Sequence, residues 1–65
     1  MSSEDMYIKN IENGIRAIRL GTKSPKDVNL SSSFEKLKNT NLGMYQDLLE
    51  RYKHIVSDYN QRKTK

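Results

Sequence analysis

Apolar residues recur every three or four positions in both the first and the last third of this chain. In the first third they are Ile8, Ile11, Ile15 and Ile18. In the last third they are Leu42, Tyr45, Leu48, Leu49, Tyr52, Ile55, Val56 and Tyr59. This spacing places each set on one side of an α-helix, and no strand-like alternation of useful length occurs. The chain is therefore predicted to be all-α.

Residues that start and stop helices place the ends of these two elements. Ser2 or Ser3 is the predicted cap of the first helix, and Gly21 is its predicted C′ residue. The last helix is predicted from about residue 42 to residue 62. Gly14 lies within the first helix, where we interpret it as a tolerated glycine on a solvent-facing side. Close approach of a neighbouring backbone is the alternative.

The middle of the chain predicts one broken helix or two very short helices between about residues 25 and 38. Ser24-Pro25-Lys26-Asp27 has the pattern of a helix start, and Ser32 with Glu35 has capping-box spacing. The residues predicted to face inward are Val28, Leu30, Phe34 and Leu37. We expect a small helical hairpin of the two long helices, with the middle segment folded over one side or end. Residues 1–65 are predicted to form one domain, with residues 1–5 and 61–65 expected to be frayed.

The size of the chain limits how it can be stabilised. A domain of 65 residues has a small core, and apolar burial then roughly balances the cost of ordering the chain. There is no cysteine, which excludes disulfides and the usual zinc ligand sets, and no metal or cofactor is expected. Association with a protein partner or with a second copy is the remaining means of stabilisation.

No part of the sequence predicts a membrane segment, because no apolar run approaches the length of a membrane span. The N-terminal Met-Ser-Ser-Glu-Asp is acidic where a signal peptide would be basic, so a cytoplasmic location is expected. Frequent lysine, asparagine and isoleucine suggest an AT-rich genome, such as that of a low-GC bacterium or its phage.

Nothing in the sequence predicts catalysis. Acid and base residues pair four positions apart, which is typical of exposed helix surfaces. These pairs are Glu12–Arg16, Asp47–Arg51, Glu50–His54 and Asp58–Arg62. His54 is therefore interpreted as a surface residue, and neither an enzyme nor a small-molecule substrate is expected. Nucleophilic triads and phosphate-binding loops are absent from the sequence.

Tyrosines in the last helix recur every seven residues. They belong to the tyrosine face, by which we mean Tyr45, Leu48, Leu49, Tyr52, Val56 and Tyr59. Such a stripe is predicted to be core or protein interface, because tyrosine tolerates a partly wet edge. A stacking platform for unpaired bases is the alternative. The face predicts a non-enzymatic regulator or adaptor that self-associates or docks on a larger partner.

The net charge of +4 leaves a nucleic-acid function open. The candidate contacts, here the basic set, are Arg19, Lys23, Lys26, Lys36 and Lys38. Residues 24–39 also have some features of a helix-turn-helix, although the first helix is short and the usual turn glycine is absent. A small basic nucleic-acid-binding protein is therefore the alternative function.

Residues 30–37 carry one family resemblance. The segment Leu-Ser-Ser-Ser-Phe-Glu-Lys-Leu is similar in outline to the Ser-Gln-Glu-Leu-Asp signature of the short two-helix phosphatases that act on sporulation response regulators in bacilli. Ser31 matches, Phe34 and Glu35 are conservative matches, and Ser32-Ser33 replaces the Gln-Glu pair. Because that family has no third helix like residues 42–59, its activity is not carried over.

Overall fold

The computed structural model describes residues 3–63 of the chain. Within this range the elements are three α-helices, and no strand occurs. They are α1 (Ser3–Leu20), α2 (Ser31–Thr40) and α3 (Leu42–Lys63). The prediction of an all-α protein is confirmed. Over the same residues, no helix combines the length and the apolar character needed to cross a membrane.

Helix α1 ends in the way that its sequence predicts. Gly21 adopts a positive φ of 80°, a conformation that residues with a Cβ rarely take. Its N–H donates to the Ile18 carbonyl at 3.1 Å, and the N–H of Thr22 donates to the Ala17 carbonyl at 3.0 Å. These two bonds form a Schellman motif, which satisfies carbonyls left free by the end of the helix.

The helix predicted to start at Pro25 does not form. Ser24 to Asp27 make a turn instead, closed by the Asp27 N–H donating to the Ser24 carbonyl at 3.0 Å. The Ser24 hydroxyl donates to the Asp27 carboxylate, also at 3.0 Å. The segment has to return along α1 within a few residues. Extended chain covers that distance with fewer residues than a helix would, because it rises about 3.3 Å per residue against about 1.5 Å in a helix.

Helix α2 is one continuous helix that begins a residue earlier than the predicted capping box. Ser31 is already helical, and Asn29 Oδ1 accepts hydrogen bonds from the Ser31 N–H at 3.4 Å and the Ser31 hydroxyl at 2.9 Å. Ser32 therefore lies inside the helix and is not its cap.

The core lies where the three helices meet. Its buried side chains are Ile11, Leu30, Phe34, Leu37 and Leu48. Three of the four residues predicted to face inward from the middle segment are buried, and Val28 is half-buried against the same cluster. Ile18 is also fully buried, nearer the end of α1.

The long helices α1 and α3 run in the same direction, whereas a hairpin would make them antiparallel. Helix α2 runs antiparallel to α1, because Ser33 lies beside Asn10 and Asn41 lies beside Glu4. Helix α3 then follows α1 in the same direction, with Tyr59 near Ile18 at the far end. The predicted hairpin of the two long helices is not confirmed, since residues 21–41 already bring the chain back to the start of α1.

Gly14 corrects another prediction, because it does not lie on a solvent-facing side. A Cβ atom added there would stand 2.8 Å from the Leu30 and Val28 side chains, closer than real Cβ contacts allow. The glycine lets the returning segment lie directly on α1. The close approach is by side chains rather than by backbone.

The predicted frayed ends lie partly within the described residues. Residues 3–5 are in α1 and residues 61–63 are in α3, whereas residues 1, 2, 64 and 65 lie outside the described range.

Candidate functional site

A groove of about 490 Å³ runs between α1 and α3, and we call it the α1–α3 groove. It is lined by Glu12, Ile15, Arg16 and Arg19 from α1 and by Leu48, Arg51, His54 and Ile55 from α3. It exists because the two helices lie side by side, so that residues 12–19 of α1 face residues 48–55 of α3. Each helix contributes about two turns to it.

The floor of the groove is apolar. Leu48 is 1% exposed and belongs to the core, whereas Ile15 and Ile55 are only half-buried. The floor is therefore a continuation of the core that reaches solvent. Covering apolar surface of this kind with a partner lowers the free energy of the complex.

The walls of the groove carry mostly positive charge. They hold three exposed arginines, Arg16, Arg19 and Arg51, against the single carboxylate of Glu12 in the lining. The excess of cations favours a ligand that carries negative charge.

Ion pairs along the helix surfaces form at two of the four predicted positions. Over residues 3–63, Arg62 lies 2.8 Å from Asp58 and Arg51 lies 3.5 Å from Asp47. The predicted Glu12–Arg16 and Glu50–His54 pairs do not reach salt-bridge distance in this range. Arg16 and His54 instead line the groove.

The tyrosine face packs largely against the rest of the molecule. Tyr45 and Tyr52 meet the Phe34 ring edge to face, with ring centroids 6.0 Å and 5.6 Å from it. Leu48 is in the core, and Leu49 is half-buried against it. The rings of Tyr45 and Tyr52 are therefore engaged within the fold, and the assignment of the face to a protein interface stays a prediction.

The remaining part of the tyrosine face lies nearer the C-terminal end of α3. Val56 and Tyr59 are half-buried. Tyr59 lines a hollow of about 280 Å³ together with Ile18, Gly21 and Arg62. This end of the face lies beyond the cover that α2 provides.

The basic set is divided among separate places on the surface. Arg19 lies in the α1–α3 groove, whereas Lys23 lines a different hollow with Ala17. Lys36 Nζ lies 5.8 Å from the Tyr7 ring centroid and Lys38 Nζ lies 5.9 Å from that of Tyr45. Lys26 is exposed. Arg19, Lys23, Lys36 and Lys38 therefore have different neighbours, and a single basic patch stays a prediction.

The helix-turn-helix interpretation fails in its first helix. Residues 22–30 contain no helix, so α2 follows an extended segment rather than a short helix and turn. The geometry that would hold a recognition helix in the major groove is therefore missing from this segment.

The sequence offered one indirect signal for the α1–α3 groove. Arg16 and Arg19 flank the predicted apolar stripe of α1, and Arg51 and His54 flank that of α3. In the structure they line one site between two helices that run in the same direction, an arrangement that a predicted hairpin does not include.

Within residues 3–63, no three histidine or carboxylate side chains lie close enough to hold a metal ion. Every buried side-chain nitrogen or oxygen atom in this range has a hydrogen-bond partner. Comparison with protein-family models, with curated proteins and with solved structures finds no match to this chain.

Proposed function

We propose that this chain is a non-enzymatic protein-interaction module, a small regulator or adaptor that docks on a larger partner through the α1–α3 groove. The observation that carries the proposal is an apolar floor open to solvent, in a groove lined by three arginines and one carboxylate. This site replaces the tyrosine face as the centre of the interface, because the rings of Tyr45 and Tyr52 pack on Phe34.

Docking on a different chain is favoured over self-association through the groove. A twofold dimer places the same surface of both protomers in contact. The groove lining of each protomer carries three arginines and one carboxylate, so such a dimer would bring an excess of positive charge together, which is electrostatically unfavourable.

The nucleic-acid alternative has less support from the geometry. Arg19, Lys23, Lys36 and Lys38 each have different neighbours, so their surroundings give no support to a shared phosphate-binding surface. Phosphate contacts also leave an apolar floor uncovered.

The proposal is tested by selecting binders from a displayed library of helical peptides on the immobilised protein. Groove binders are those lost on Ile55→Lys and retained on Ser57→Lys, a matched charge addition at an exposed position of the same helix. Circular dichroism checks that both variants remain folded. We expect groove binders to dominate the selection. Binders that tolerate Ile55→Lys as well as Ser57→Lys would show that the groove is not the docking site.

A further inference from the structure

We propose that the occupant of the α1–α3 groove is an acidic amphipathic helix from a different protein. This inference rests on the proposed function and adds the chemistry of the partner. The partner's apolar side chains would cover Ile15 and Ile55, and its carboxylates would pair with the arginines of the walls.

The arginines are available for such pairing. Neither Arg16 nor Arg19 has a carboxylate within salt-bridge distance among residues 3–63. Arg51 is paired with Asp47 at 3.5 Å, but both side chains are more than half exposed. A solvent-exposed pair of this kind contributes little to stability, so Arg51 can exchange Asp47 for a carboxylate of the partner.

The shape of the groove favours a helix over an extended peptide. Both walls are α-helices, whose backbone N–H and C=O groups are already used within each helix. An added strand would therefore find no backbone partners, and edge pairing is excluded at this site. A helix packs its side chains between those of two neighbouring helices. An amphipathic helix with acidic flanks would place its apolar stripe over the floor and its carboxylates beside the arginines.

The position of the groove on the molecule is consistent with a fourth helix. Helix α2 covers one side of the α1–α3 pair through Phe34 and Leu37. The groove lies between the same two helices and is lined only by residues of α1 and α3. A helix seated there would extend the three-helix core to four helices, an arrangement in which helices bury a shared apolar core.

The test compares the charge of the groove binders defined above. We expect residues beside their apolar stripe to be enriched in glutamate and aspartate. An acidic binder should lose at least about fivefold in affinity on Arg16→Glu, since about 1 kcal/mol corresponds to that factor. Lys53→Glu makes the same change of charge at an exposed site of α3 outside the groove, and it should have a much smaller effect.

A second variant keeps the test decisive if Arg16→Glu weakens the fold. Arg51→Gln removes one wall charge and frees Asp47, and it should also weaken the acidic binder while the circular dichroism spectrum is unchanged. Synthetic versions of one binder, with glutamate flanks replaced by glutamine or lysine, should bind progressively more weakly.

Each contrary result has a distinct meaning. Groove binders with neutral or basic flanks would overturn the acidic partner while leaving the proposed function intact. An absence of groove binders would overturn both. A duplex or single-stranded oligonucleotide that competes with the acidic peptide, and binds the groove more tightly at physiological salt, would show that the wall charges serve phosphate recognition instead.

Discussion

At the scale of single residues, Gly14 has the clearest structural role. Its missing Cβ leaves room for Leu30 and Val28, both of which would lie 2.8 Å from that atom. Leu30 is buried and Val28 is β-branched, so neither side chain can move away freely. Close packing here places the returning segment, and with it the start of α2, against α1.

We predict that Gly14→Ala lowers the free energy of unfolding by about 1 kcal/mol. Alanine gains up to about 1 kcal/mol of helix propensity, but crowding in a packed site costs about 1–3 kcal/mol. Gly43→Ala is the matched control, because its nearest neighbouring atom would be 3.7 Å away. Denaturant unfolding should show Gly43→Ala as neutral or stabilising. Stabilisation by both changes would contradict the crowding at Gly14.

At the scale of helices, Asn41 connects the start of α3 to the start of α1. It adopts an extended conformation, and its side-chain oxygen accepts the Met44 N–H at 3.1 Å, as an N-cap does. Its amide nitrogen donates to the Glu4 carboxylate at 3.3 Å. One side chain therefore both starts α3 and fixes which end of α1 it lies beside.

We predict that Asn41→Ala destabilises the protein by about 1–2 kcal/mol, because it removes the cap and the bond to Glu4 together. Asn41→Asp retains the cap but brings a second carboxylate to Glu4, so it should recover only part of the loss. Thermal unfolding of the three proteins at neutral pH measures the difference. If Asn41→Asp equals the unmodified protein in stability, the bond to Glu4 contributes nothing.

The sequence predicted helices more reliably than connections. α1 and α3 have strong apolar periodicity, and their predicted ends agree closely with the structure at Gly21 and Leu42. The turn at Ser24 to Asp27 was predicted as a helix because its local pattern is that of a cap. Helical signals over a few residues are weak, since starting a helix is costly, and packing against α1 decides the outcome.

At the scale of the whole molecule, the groove charge predicts the oligomeric state. We expect a monomer of 7.6 kDa in sedimentation equilibrium, with a melting temperature independent of protein concentration. The reason is that a symmetric dimer through the groove would bring together two linings that each carry three arginines and one carboxylate. A mass that rises with concentration, and returns to that of the monomer on Ile55→Lys, would support self-association through the groove instead.

The arrangement of α1 and α3 determines the candidate site. Had the two long helices formed a hairpin, the residues paired across them would be different ones. Arg16 and Arg19 share a groove with Arg51 and His54 in the arrangement in which α3 repeats the direction of α1. The acidic-partner proposal therefore depends on a feature that involves residues more than thirty positions apart, about half the chain.

The sequence by itself determined the helical class, the extents of α1 and α3, and the end of α1 at Gly21, because these depend on local periodicity and on backbone preferences of single residues. The tertiary structure alone decided the direction of α3, the crowding at Gly14 and the α1–α3 groove. These depend on which side chains meet across the chain, as Asn41 meets Glu4 and Leu30 meets Gly14. Small differences in packing and in loop geometry decide which of these contacts form, and local sequence patterns do not encode those differences.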